Sequence, residues 1–143
     1  MITFVKGHGL GNDYLVLNRK DLDFLLNPVA VQRLCHRNWG IGSDGILLLV
    51  DSSNADFGLR IFNPDGSEAE KSGNGLRIFA KYLYEHGHAK RSVFSVETKG
   101  GVVECQCHLA GGRVASVTVE MGQVTFRAQE IPMSGPDREV VGV

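Results

Sequence analysis

The residues best placed to do chemistry lie in the stretch Lys71-Ser72-Gly73-Asn74-Gly75. Two glycines flank an asparagine and break the preceding segment. An apolar run, Leu76-Arg77-Ile78-Phe79-Ala80-Lys81-Tyr82-Leu83, follows at helical spacing. The start of such a helix leaves backbone N–H groups unpaired and carries the positive end of the helix dipole, so it receives anions. Ser72 stands at the mouth of that helix, where a hydroxyl can act on whatever the anion belongs to. Serine is also a favoured N-cap, and from position alone capping is the stronger reading. Asn12, Asn63 and Asn74 sit at turns between regular elements, the usual place for groups that converge on a polar ligand.

Other motifs fall away on inspection. Gly40-Ile41-Gly42-Ser43-Asp44-Gly45 fits GxGxxG, but a dinucleotide fingerprint follows a strand and opens a helix, and this one does the reverse. Gly66 to Ser72 approaches a P-loop, yet Glu70 puts a carboxylate where glycine is needed beside phosphate. His8 lies in a glycine-rich loop and either faces a ligand or bonds within the loop. Asp13, Asp44 and Asp65 adjoin or approach glycines and read as turn formers. Cys35, Cys105 and Cys107 are odd in number and include no CxxC, so free thiols are expected rather than a disulfide. Cys105, Cys107 and His108 with His86 and His88 match no standard zinc spacing, and no metal is expected.

The elements that must position these residues are short strands and two helices. Ile2 to Lys6 and Asp13 to Asn18 read as strands joined through Gly7 to Asn12. Asn27-Pro28 opens a helix with Val31, Leu34 and Cys35 on one face, running to about Trp39-Gly40. Gly45 to Asp51 and Asp56 to Asn63 read as strands, and Asn63-Pro64-Asp65-Gly66 as a tight turn. Ser67-Glu68-Ala69-Glu70 matches a capping box and predicts a helical turn before Ser72. The main helix runs from about Asn74 to His86, with Leu76, Phe79, Ala80 and Leu83 as its buried stripe and Gly87 as its stop. Val93 to Thr98, Val102 to Cys107 and Val114 to Met121 form a meander. The expected fold class is α+β: a mixed, mostly antiparallel sheet wrapped as a barrel around one central helix, with a smaller helix outside.

Composition is consistent with one soluble globular domain. Of 143 residues, 43% are hydrophobic and 22% charged. A net charge of −1 gives no electrostatic reason to expect nucleic acid or an anionic membrane as partner. Ile46 to Val50, the longest apolar run, falls far short of a membrane span. The amino terminus lacks the features of a signal peptide, and a cytoplasmic location is expected. From Gly122 onward periodicity dissolves, as in a linker.

Four segments together resemble the amino-terminal half of diaminopimelate epimerase: His8 to Tyr14, Gly40 to Gly45, Arg60 to Glu68 and Ser72 to Arg77. The resemblance implies a cofactor-independent isomerase of lysine and peptidoglycan precursor biosynthesis that interconverts LL- and meso-diaminopimelate without pyridoxal phosphate. Family members pair two similar domains, and each domain contributes one acid–base cysteine to a cleft between them. On that pattern residues 1–121 are an epimerase-like amino-terminal domain, and 122–143 a linker toward a second domain. Ser72 matches the catalytic cysteine, while Asn12, Asn63, Gly73 and Asn74 match contacts to an amino-acid substrate.

Ser72 departs from the family pattern. A thiol near pKa 8.5 is brought toward neutrality by a helix N-terminus. An alcohol needs an adjacent activating base, and the sequence offers none beside Ser72. The chain alone is therefore expected to be inactive, as a fragment or a serine variant. The alternatives are a one-base enzyme catalysing elimination or dehydration with Ser72 positioning substrate, and a non-catalytic amino-acid-binding or assembly module, for example a homodimer in place of a missing carboxy-terminal half.

Overall fold

A computed structural model describes residues 2–121, so the expected linker at 122–143 lies outside the described residues. The chain opens with a hairpin of β1 (Val5–Gly9) and β2 (Asn12–Asn18). Leu10 and Gly11, at φ 53° and 85°, make the turn; two left-handed residues match the twist of the strands they join. The segment expected to be a loop is therefore largely strand, with His8 opposite Asp13 and Gly9 opposite Asn12. Glycine does not break β1 because Gly7 and Gly9 face the main helix at close range. A methyl group on Gly9 would lie 3.0 Å from Asn74 Oδ1, and one on Gly7 2.9 Å from Ile78 Cγ2.

α1 spans Pro28–Cys35, and Asn27 Oδ1 accepts from the Ala30 amide at 2.9 Å as its N-cap. It ends before Trp39-Gly40 because the following loop folds back onto it. The Ile41 and Gly42 amides both donate to Leu34 O, and Ser43 N donates to Cys35 O. These bonds satisfy carbonyls that a helix end leaves open.

β3 (Ile46–Val50) runs parallel to β2 and antiparallel to β4 (Phe57–Phe62). Residues 67–70 differ from the capping-box reading: Glu68–Ala69 form a short strand, β5, paired with the end of β4. The Asn63–Gly66 turn closes that hairpin, and Glu68 takes Arg60 through two hydrogen bonds of 3.1 and 3.0 Å. Ser67 Oγ donates to Asp65 instead of capping a helix. A local motif thus yields to a cross-strand ion pair.

α2 (Gly73–Glu85) follows, with Gly87 at φ 77° just past its end. β6 (Val93–Thr98), parallel to β4, leads into β7 (Gly101–Ala110) and β8 (Arg113–Val119). The sheet order β1-β2-β3-β4-β6-β7-β8 is mixed but mostly antiparallel, as expected. The sheet curls around α2, which packs against β1, β2, β7 and β8. Leu76, Phe79, Ala80 and Leu83 are fully buried within it.

A second core lies on the outer face, where Leu15, Leu17, Ile46 and Leu48 pack with Val31 and Cys35 of α1. β2 and β3 are covered on both faces, which explains the unbroken apolar run at 46–50. Cys35, Cys105 and Cys107 are free and buried. No helix among the described residues is long and apolar enough to cross a membrane.

Candidate active site

Ser72 ends an extended segment at φ −149° and caps α2: its Oγ accepts from the Gly75 amide at 3.0 Å, and its carbonyl accepts from Leu76 N at 2.8 Å. The Gly73 and Asn74 amides are left over at the helix start, where the dipole favours an anion. A methyl group on Gly73 would meet nothing within 4 Å, so this corner is open to an incoming group. The capping reading is borne out at Ser72, and the same corner leaves room beside the helix start.

A hydroxyl neighbour of Ser72 went unrecognised in the sequence. Tyr14 Oη lies 3.1 Å from Ser72 Oγ, and its ring is buried in the inner core. The ring sits where a side chain on Gly45 would be: a methyl group there would come within 2.8 Å of Tyr14 Cε1. Alternation along β2 was the available signal, because Tyr14 and Val16 share the inward face. A phenol exchanges hydrogen bonds with an alcohol but is no activating base for it.

Asn12 and Asn74 are brought together. Asn74 Nδ2 donates to Asn12 Oδ1 at 3.4 Å, and Asn12 Nδ2 donates to Asp44 Oδ2 at 3.1 Å. Asp13 and Asp44 are more than turn formers. Asp13 lies in β2 and takes Arg37 through bonds of 2.8 and 3.2 Å, while Arg37 also reaches Asp44 Oδ1 at 3.0 Å. The Arg37 guanidinium holds the Asp13 carboxyl well below the usual carboxylate range, outweighing the opposing effect of burial, and Lys6 at 3.2 Å adds to it. This cluster lies behind Asn12 and ties β2 to the loop before β3.

Asn63 is placed at the same end of the sheet without a hydrogen bond to the other candidates. Register sets Ile46 beside both Leu15 and Phe62, so the start of β2 and the end of β4 lie together. The Asn63 side chain is exposed and donates to Ser67 Oγ at 3.0 Å. His8 is a strand residue whose Nδ1 accepts from Gly11 N at 3.4 Å, the local role weighed for it. Among the described residues no three His, Cys, Asp or Glu side chains converge to hold a metal ion.

Known proteins match both the sequence and the fold. A diaminopimelate epimerase 2 from Nostoc sp. is 58% identical over 141 residues, covering 98% of this chain and 48% of the relative. A diaminopimelate epimerase from Moorella thermoacetica is 45% identical, covering 96% and 50%. The chain thus spans about half the length of the curated relatives it matches. Among solved structures, a hydroxyproline epimerase from Agrobacterium vitis superposes with a TM-score of 0.67 at 20% identity, covering 81% of this chain and 40% of that one. A methylitaconate-delta-isomerase reaches 0.65 at 14% identity, over 79% and 36%. At such identities these two establish the shared fold alone. The sequence evidence goes further, because the family model for diaminopimelate epimerase matches residues 4–127, and the chain belongs to that family.

Proposed function

We propose that this chain is the amino-terminal, substrate-holding half of an enzyme that interconverts LL- and meso-diaminopimelate without a cofactor, and that it performs no proton transfer by itself. Residues 1–121 form the domain, and 122–143 lead to the second. The observation that carries this reading is the surroundings of Ser72 Oγ. Its partners are the Gly75 amide and the Tyr14 phenol. Neither takes a proton from an alcohol, so Ser72 holds the helix start and offers a hydroxyl where the family pattern has a thiol.

The Gly73 and Asn74 amides receive a substrate carboxylate at the α2 N-terminus, while Asn12, Asn63 and the Asn74 side chain supply polar contacts. Removing a proton from an amino-acid α-carbon needs a positioned base and electrostatic support in a site closed to water. The base and the closure belong to the second half. A cytoplasmic location accords with a soluble biosynthetic role.

The test is solvent deuterium exchange at the α-carbon of LL-diaminopimelate, followed by proton NMR. The chain alone should give no exchange above buffer, while the Gly73 and Asn74 amide resonances shift with the ligand. In a protein carrying both halves, Ser72→Cys should raise exchange by about two to four orders of magnitude. Exchange by the unaltered chain alone would overturn the proposal. Deuterium uptake with Ser72 intact in the two-half protein would establish a one-base reaction run from the other face.

A further inference from the structure

We infer that Asp44 is a positioning residue that sets the orientation of the Asn12 side-chain amide, turning its oxygen toward the mouth of α2. The inference rests on the reading of Asn12 as a substrate contact and extends it. A carboxylate accepts hydrogen bonds and donates none. Asp44 Oδ2, 3.1 Å from Asn12 Nδ2, therefore requires the amide nitrogen on its side; a flipped amide would set two acceptors against each other. The amide oxygen is then committed to the opposite side, where Asn74 Nδ2 approaches at 3.4 Å.

Asp44 is itself held from several directions. Its Oδ2 also accepts from the Asp13 amide at 3.0 Å, its Oδ1 takes Arg37 at 3.0 Å, and its own amide donates to Asp13 O at 2.9 Å. The bond to Asn12 joins residues 32 apart, so it depends on the β2–β3 pairing rather than on a local turn. Asn63 lacks such a brace: its side chain donates to Ser67 Oγ, an exposed hydroxyl of its own turn that in turn donates to Asp65.

A fixed amide oxygen matters at this place. The backbone of the α2 start presents donors, the Gly73 and Asn74 amides, and these suit a carboxylate. An obligate acceptor on the neighbouring strand suits the ammonium group of the same molecule. Asp44 thereby biases the site toward a zwitterionic amino acid over a simple carboxylic acid.

The Asn12 side-chain amide resonances report this directly in isotope-labelled protein. In the unaltered chain the Nδ2 proton facing Asp44 should lie downfield and exchange slowly with solvent. Asp44→Ala should abolish that signature and weaken meso-diaminopimelate binding, followed by NMR titration, about tenfold. Asp44→Asn keeps an acceptor oxygen and should retain the signature, with affinity within about threefold. Asp51→Ala, which removes a remote carboxylate, should match the unaltered chain. An Asn12 signature unchanged in a folded Asp44→Ala chain would overturn the inference. If Asp44→Ala fails to fold, loss of the signature in folded Asp44→Asn would overturn it equally, and retention would support it. If the signature follows Asp44 while no chain responds to diaminopimelate, the positioning stands and the substrate reading fails.

Discussion

At the scale of single residues, the chemistry turns on which hydroxyls and thiols are free to react. Ser72 is engaged by an amide and a phenol. The cysteines offer no substitute nearby. Burial pushes the Cys105 thiol up to about 12, and burial likewise raises Cys35 and Cys107. Thiolate is the reactive form, so native Cys105 should be alkylated by iodoacetamide at pH 8 about a thousandfold more slowly than the urea-unfolded chain. Mass-spectrometric labelling checks this; rapid native labelling of Cys105 would contradict the buried assignment. The capped helix mouth at Ser72-Gly73-Asn74 was legible in the sequence because a cap and its helix lie within a few residues. Tyr14 was not, since its contact with Ser72 spans 58 residues.

At the scale of elements, close approach decides how the site is assembled. Gly45, just before β3, passes between the Tyr14 ring and the end of β4. A methyl group there would come within 2.6 Å of Phe62 O, a backbone atom fixed by the Ile46–Phe62 pairing. Gly45→Ala should therefore cost about 1–3 kcal/mol, read as a lowered urea midpoint. Gly73→Ala meets no neighbour within 4 Å and should cost far less. Equal midpoints for the two variants would refute this packing argument. Helix α2 was readable from its period and cap, and the β6–β8 meander from its glycine turns. β5 was not, because Ser67 to Glu70 satisfies a helix-start pattern that the Arg60–Glu68 pair overrides.

At the scale of the whole molecule, charge and curvature act together. Arg37 joins Asp13 of β2 to Asp44 of the loop before β3, and its effect on Asp13 is directional. The folded Asp13 carboxyl titrates below its unfolded value. Its stabilisation is thus complete above about pH 4 and is lost as pH falls further. Asp56, Asp65, Glu68 and Glu97 are lowered by their own hydrogen bonds and act in the same direction. The thermal midpoint should fall as pH drops from 5 toward 2, and Asp13→Asn should flatten that fall. Parallel profiles for variant and parent would show that the cluster contributes nothing to acid stability. Curvature has its own consequence: the sheet wraps α2 so that the helix opens its N-terminus at the end where β2 begins and β4 finishes.

Sequence alone determined the family, the caps and the helical and strand periods. Each of these depends on residue types or on neighbours a few positions apart. It also placed Ser72, Gly73 and Asn74 at a helix mouth and set Asn12 and Asn63 at strand ends. Tertiary structure decided who meets whom. Tyr14 reaches Ser72, Asp44 fixes Asn12, and Arg37 binds Asp13 only once β2, β3 and α2 are in register. Hydrogen bonds and ion pairs act over a few ångströms, and for residues far apart in the chain only the folded sheet brings them within that distance.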